Sequence, residues 1–370
     1  MKKNILFIIP GIKKTGPITG VINILKNLDS ENYTIHIISL KNPNCEYQFK
    51  ILKAITQNLK IYRFSKWLLF FHILKIRKYI HFFSINVVYS TGIIPDFING
   101  FFLPKHLNKV TTVRNIPIED LRMQYGHILG GGMTSIWIKI FNRINHVVGH
   151  SKTICEYLNK NKVSYPKLIY NGSDCYEIYK YKSCRENIRK MFSFSETDIV
   201  IGHVGHHNYR KNIEIILRAL ALVDKKFRFV SFGTGPLTNY LTNVANELFI
   251  EDRVTWAGFK NEIYKYYWAF DIFILPSFSE GLSRALIDSY SASLPVIVSN
   301  IPSSTEIVED GINGYVFDKY DVNSLVDNIN KLKCNELRKK IGRTNLNDAR
   351  KKYNSLKMSK MYEEIFSNNE

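Results

Sequence analysis

The stretch LPSFSEGLSRALIDSYSASLPVIVSNIPSSTEIVEDGINGYVFD, residues 275–318, decides the fold. An apolar run ends at Leu275, and a turn rich in Ser and Gly presents Glu280, Gly281, Leu282 and Ser283 at its tip. The pattern predicts a helix from near Ser283, then strands at Val296–Ser299 and Gly314–Phe317. Strand, helix and strand in that order form the βαβ unit of a parallel sheet. The first N–H groups of a helix lack intrahelical acceptors, so the turn is a ready site for an anion or a hydroxyl. Asp288 follows Glu280 by eight residues, two helical turns down, and is expected on the same side as the ligand.

The same alternation runs through the whole chain of 370 residues. Further strands are expected at Asn4–Ile9, Thr34–Leu40, Asn86–Tyr89, Lys109–Val113, His146–Gly149 and Lys167–Tyr170. A second set is expected at Ile199–Val204, Phe227–Phe232, Val254–Trp256 and Ile272–Leu275. An Asn-Gly-Ser-Asp punctuation in residues 171–186 marks a boundary between the two sets. The fold class is α/β: two Rossmann-like, doubly wound parallel-sheet domains facing a central cleft at the carboxyl ends of their strands. The expected division is residues 1–180, residues 181–342, and a C-terminal helix, residues 343–370, returning to the first domain.

Three other βα turns carry chemistry. In IGHVGHHNYRKNIEIILRAL, residues 201–220, a strand gives way to a loop and a helix expected to start with Arg210 and Lys211. Two cations beside a helix N-terminus suit a diphosphate. His203, His206 and His207 do not read as a zinc site, because no thiolate or carboxylate accompanies them and His203 lies in the strand. FGTGPLTNYL, residues 232–241, offers a strand, a tight turn with Gly235, and a helix; its glycines also fit close strand–helix packing. PGIKKTGPITGVINIL, residues 10–25, opens the first helix with a loop containing Gly16. It is not a phosphate-binding P-loop, since Pro17 stands where the lysine belongs.

The charge is strongly basic, 51 Lys and Arg against 32 Asp and Glu. Most of the excess lies before residue 181, and eight cations with no acid separate Glu46 from Asp96. That asymmetry fits an anionic partner for the first domain: a nucleic acid, an anionic lipid or a polyphosphate. No nucleic-acid motif accompanies it. In KWLLFFHILKIRKYI, residues 66–80, one helical face is expected to pack on the sheet through Trp67, Leu69, Phe70, Ile73, Leu74, Ile76 and Ile80. The other then sets Leu68, Phe71 and Tyr79 among His72, Lys75 and Lys78, which suits an anionic membrane surface. Lys66, Trp67, Phe71, Lys75 and Lys78 are the expected contacts. No stretch reaches the ~18 apolar residues of a spanning helix. The apolar run Ile5–Pro10 reads as a buried first strand rather than a secretion signal, which places the protein in the cytoplasm, peripheral on the inner face of the membrane. Five cysteines form no CxxC pair and read as reduced thiols.

Taken together these stretches resemble the retaining family 4 glycosyltransferases of GT-B fold, over essentially the whole chain and most strongly in residues 199–318. The resemblance implies a nucleotide-diphosphate-sugar donor, UDP- or GDP-linked, and a saccharide acceptor, lipid-linked, with no cofactor and no metal. It implies that Glu280 holds donor-sugar hydroxyls, that the amides near Gly281, Leu282 and Ser283 support sugar and phosphate, and that Asp288 holds the ribose. Lys211 matches the family lysine that neutralises the diphosphate. Gly16 matches a loop that reaches the phosphates, and Phe259 with Lys260 the place where the base is read. Where the family pairs its lysine with an arginine this chain has His206, and Arg210 is the candidate replacement. Arg114 and Asn115 stand where many members have a histidine. That pair, with the following RMQYG and GHSKTICEYL, resembles members from capsule and cell-surface polysaccharide pathways.

Breaking a glycosyl–phosphate bond builds negative charge on the leaving diphosphate, which preorganised cations and helix dipoles stabilise by ~3–4 kcal/mol per well-placed donor. No placed nucleophile is evident, so same-face attack assisted by the leaving phosphate is expected, with retention implied by the family. The competing readings are a non-catalytic Rossmann scaffold that binds anionic polymers or lipid, and a sugar-nucleotide epimerase of the same fold.

Overall fold

The computed structural model describes residues 2–13, 15–62 and 69–368. They divide into two compact units, residues 1–172 with 355–370, and residues 173–354. The expected switch at 180/181 comes earlier, and the return expected from 343 begins at Ser355, because the helix Asn335–Lys351 packs on the helix Arg284–Ser291 of the second unit.

The first unit is a seven-stranded parallel sheet in the order β3-β2-β1-β4-β5-β6-β7. Its strands are β1 Lys3–Ile9, β2 Tyr33–Ser39, β3 Leu59–Ile61, β4 Val87–Ser90, β5 Asn108–Val113, β6 His146–Gly149 and β7 Lys167–Leu168. The second is a six-stranded parallel sheet in the order β10-β9-β8-β11-β12-β13. Its strands are β8 Ile199–Val204, β9 Phe227–Phe232, β10 Val254–Gly258, β11 Ile272–Leu275, β12 Val296–Ser299 and β13 Tyr315–Phe317. Apolar residues run without alternation along β1 and β11, as expected where helices cover both faces of a parallel sheet. Sequence reading missed only β3, a three-residue edge strand with too few residues to show a period. In each sheet the strand order reverses once, between β1 and β4 and between β8 and β11. Ligands of doubly wound folds bind at the carboxyl ends of strands at such a reversal.

One face of the first sheet packs on the helix Gly16–Lys26 and on the C-terminal helix Ser355–Ser367, whose Tyr362 and Phe366 are fully buried beside Phe7. The other packs on the helix Leu69–Phe82 through Ile76, Tyr79 and Ile80. The expected faces of that helix are corrected here. Tyr79 and His72 are buried, while Phe70 and Leu74 are exposed. The reason is a polar anchor: the Tyr79 hydroxyl lies 2.9 Å from Nδ1 of the buried His36 in β2 and turns the helix toward it. Lys66 and Trp67 lie outside the described residues, as does the Leu69 side chain.

Beyond β4, Asp96 is wholly buried and accepts hydrogen bonds from Ser90 Oγ at 2.7 Å, Thr111 Oγ1 at 2.6 Å and Trp137 Nε1 at 2.9 Å. One carboxyl group thereby ties β4, β5 and the helix His127–Phe141 together. Burial raises its pKa to about 6, although the three hydrogen bonds oppose the shift. Between about pH 4 and pH 6 the folded chain therefore keeps a proton that the unfolded chain has released, and stability falls as pH rises through that window. Replacing Asp96 by Ala should cost about 2–4 kcal/mol, since three buried donors lose their acceptor. Urea unfolding at pH 4.5 and 7 should also show the variant losing that part of the pH dependence.

Candidate active site

The reversal between β8 and β11 brings two loops of the second unit side by side. The loop after β8 carries Arg210 and Lys211, and the loop after β11 carries Ser277 and Glu280. The Phe278 N–H donates to the Arg210 carbonyl at 2.8 Å, which fastens one loop to the other. Lys211 Nζ then reaches Glu280 Oε1 at 2.5 Å, with the two side chains 10% and 8% exposed. Ser277 Oγ, itself fully buried, donates to the same oxygen at 2.8 Å. Burial by itself would raise the Glu280 pKa, but the charges of Lys211 and Arg210 and the bonds from Lys211 and Ser277 outweigh it and hold the group below its ordinary value. The carboxylate is thus kept ionised in a site that excludes most water.

The two cations do not open the helix as expected. They lie on a 3₁₀ turn, Tyr209–Lys211, and the α-helix starts only at Glu214. Asn212 between them is left-handed at φ 47°, a conformation that Asn tolerates better than branched residues, and it halts the turn. Asn208 caps the turn by accepting from the Lys211 N–H at 3.3 Å. Ser277, Asn208 and Asn212 are site residues that sequence reading passed over. A Ser three positions before an acid at the end of a strand was the only available signal for the first of them.

The neighbouring loops pack backbone to backbone. A Cβ on Gly233 would meet the Gly205 carbonyl oxygen at 1.8 Å, and one on Gly235 would meet that of His207 at 2.3 Å. His207 Nε2 and His203 Nδ1 both lie within 3.1 Å of Ser231 Oγ, and His207 Nδ1 is 3.0 Å from Thr238 Oγ1. These histidines therefore hold β8, β9 and the following helix together. Burial lowers the pKa of both, that of His207 to about 4 with help from His206.

The remaining residues separate. Gly281, Leu282 and Ser283 are buried at the start of the helix Arg284–Ser291. Asp288 is 5% exposed and already engaged, accepting from Ser173 Oγ at 2.6 Å and pairing with Arg284 Nε at 3.4 Å. His206 is exposed, Phe259 is 53% exposed, and Lys260 lies 5.9 Å from the centroid of the Tyr266 ring. Gly16 and Arg114 belong to the first unit, where Gly16 starts the helix Gly16–Lys26 and Arg114 directly follows β5.

Two Rossmann-like units with a cation–carboxylate pair at a strand-order reversal define the class, a GT-B fold. The chain matches the family model of group 1 glycosyl transferases over residues 184–348. It is 26% identical over 371 residues to the O-antigen biosynthesis glycosyltransferase WclY of Escherichia coli, covering 98% of each chain. It is also 26% identical over 205 residues to the Escherichia coli UDP-Gal:alpha-D-GlcNAc-diphosphoundecaprenol alpha-1,3-galactosyltransferase, covering 52% of each. Among solved structures it resembles HepE of Anabaena in complex with UDP-glucose, at a TM-score of 0.85 and 16% identity over 98% of this chain and 99% of that one.

A buried charge stripped of its partner costs about 3–5 kcal/mol. Lys211→Met and Glu280→Ala should each destabilise the protein by that order in urea unfolding at pH 7. The double variant Lys211→Met/Glu280→Gln should lose less than the sum of the two. Because the folded Glu280 pKa is lowered, its contribution is present above the ordinary glutamate value and fades as pH falls through the folded one. The double variant should lack that acid limb.

Proposed function

We propose that this chain is a glycosyltransferase that moves a sugar from a nucleoside-diphosphate sugar to a lipid-linked saccharide in the synthesis of a cell-surface polysaccharide, with retention of anomeric configuration. The observation that carries the reading is the buried Lys211–Glu280 pair at the reversal of the second sheet. A donor diphosphate entering there takes over the lysine charge, with Arg210 alongside. The carboxylate so released, still held by Ser277, accepts hydrogen bonds from the sugar hydroxyls. The exposed His206, Gly235 after β9, and Phe259 and Lys260 after β10 border the nucleotide, and the amides of Gly281, Leu282 and Ser283 meet sugar and phosphate. Asp288 takes the ribose by exchanging one of its present partners. In the first unit, Gly16 and Arg114 are the candidate functional residues. The lysine and arginine charge on the leaving diphosphate serves where other enzymes use a metal ion, and attack from the face of departure yields retention. The named activities of the WclY and galactosyltransferase relatives, and the UDP-glucose bound by HepE, support the donor and acceptor classes.

Among the described residues no helix is long and apolar enough to cross a membrane. The helix Leu69–Phe82 instead exposes Phe70, Phe71, Leu74 and Phe82 among Lys75, Arg77 and Lys78, which fits adsorption to an anionic inner-leaflet surface.

Thermal shift against UDP-, GDP-, CMP- and ADP-sugars tests the donor. One nucleotide sugar should stabilise the wild type and leave Glu280→Ala unmoved; a flat response across the panel would refute the donor reading. Flotation with liposomes tests the surface. Binding should require anionic lipid and fall on the order of tenfold or more in Lys75→Glu/Lys78→Glu, since each cation near the surface contributes ~1 kcal/mol. Indifference to lipid charge would refute it.

A further inference from the structure

Among the described residues, no carboxylate pairs with Arg114. It follows β5, but its side chain crosses β4, where Nη2 donates to the Tyr89 hydroxyl at 3.3 Å. The guanidinium comes to rest on Gly20 of the helix after β1, so close that a Cβ there would meet Nη1 at 2.3 Å. The group therefore lies at the β1/β4 reversal of the first sheet, the position that Lys211 and Glu280 occupy in the second. There the resemblance ends, because no carboxylate pairs with Arg114 among the described residues, and its buried Nε has no acceptor.

Its neighbours leave the charge in place. Tyr89 and Tyr362 present phenols, and burial holds the Tyr362 hydroxyl well above the ordinary phenol range. His150, at the end of β6, lies with Nδ1 at 2.7 Å from the Ile169 carbonyl, so that nitrogen carries the proton. Burial, and then the Arg114 charge, lower its pKa to about 3 and keep it neutral. The unprotonated Nε2 has no donor, and neither has the buried Oδ1 of Asn171 just past β7. Among the described residues, the carboxyl edge of this sheet thus holds one cation with no carboxylate partner and two buried acceptors with no donor. A simple anion would meet only the first of these needs. A sugar that bears an acidic group meets both, its acid on the guanidinium and its hydroxyls on the acceptors.

We infer that Arg114 anchors an anion site in the first unit and that its ligand is the acidic group of a saccharide, a phosphate or a carboxylate. The inference rests on the acceptor reading above and makes that acceptor a charged sugar. Glycine at position 20 and the neutrality of His150 are then conditions of the site, the one leaving room for the guanidinium and the other leaving it the sole charge.

The test is a thermal shift of the full chain with glucose 1-phosphate, glucuronate and glucose, each with and without saturating UDP. A charged sugar should stabilise the wild type and glucose should not; which acid succeeds tells phosphate from carboxylate. The shift should persist in UDP. In Arg114→Met and Arg114→Gln the charged sugar should bind about tenfold or more weakly, the worth of one hydrogen bond to a charged group, with partial recovery in Arg114→Lys. Equal protection by glucose, undiminished protection in the variants, or displacement by UDP would each overturn the inference. The UDP arm alone reads the donor site, so failure there refutes the donor and leaves Arg114 standing, and the converse holds.

Discussion

The second unit is organised around two buried, oppositely charged groups, Lys211 and Glu280. Lys211 and Glu280 come from loops 69 residues apart, and neither is stable in a low-dielectric setting without the other. Their meeting requires the sheet to reverse between β8 and β11, the loops to be fastened by a backbone hydrogen bond, and Ser277 to take up a lone pair of the carboxylate. The glycines of the adjoining loops answer the same demand, because carbonyl oxygens of Gly205 and His207 occupy the space a side chain would need. The site is costly to assemble, and for that reason well defined. Its charges are in position before any ligand arrives, so little reorganisation remains for the reacting state.

The first unit solves a different problem with the same topology. At its reversal stands a single cation, packed against a glycine and flanked by phenols and a neutral imidazole. One reversal carries a cation–carboxylate pair, and at the other no carboxylate pairs with the arginine among the described residues. Away from the edge, Asp96 shows how the same unit handles a buried carboxyl with no cation, through three hydrogen bonds and a raised pKa.

Much of this was legible in the residues themselves. Twelve of the thirteen strands were readable, because β-branched runs buried on both faces keep a continuous apolar signature, and β3 escaped because three edge residues carry none. Glu280 and Lys211 were legible as chemistry at βα turns. Their present partnership was not, since a sequence shows two residue types at two turns and says nothing of the 2.5 Å between them. The helix Leu69–Phe82 was read with its faces partly exchanged because one buried polar contact, Tyr79 to His36, outweighed the apolar count.

The sequence by itself determined the alternation of strand and helix, the two-part division and the residues at the loop tips, because these depend on local pattern and on residue type at a turn. The tertiary structure alone decided that Asp288 is already engaged, that Ser277 and Asn208 support the charged pair, and that Arg114 meets no carboxylate among the described residues. Each of these depends on which strands become neighbours. That adjacency joins residues far apart in the chain, through burial and electrostatics that no local pattern encodes.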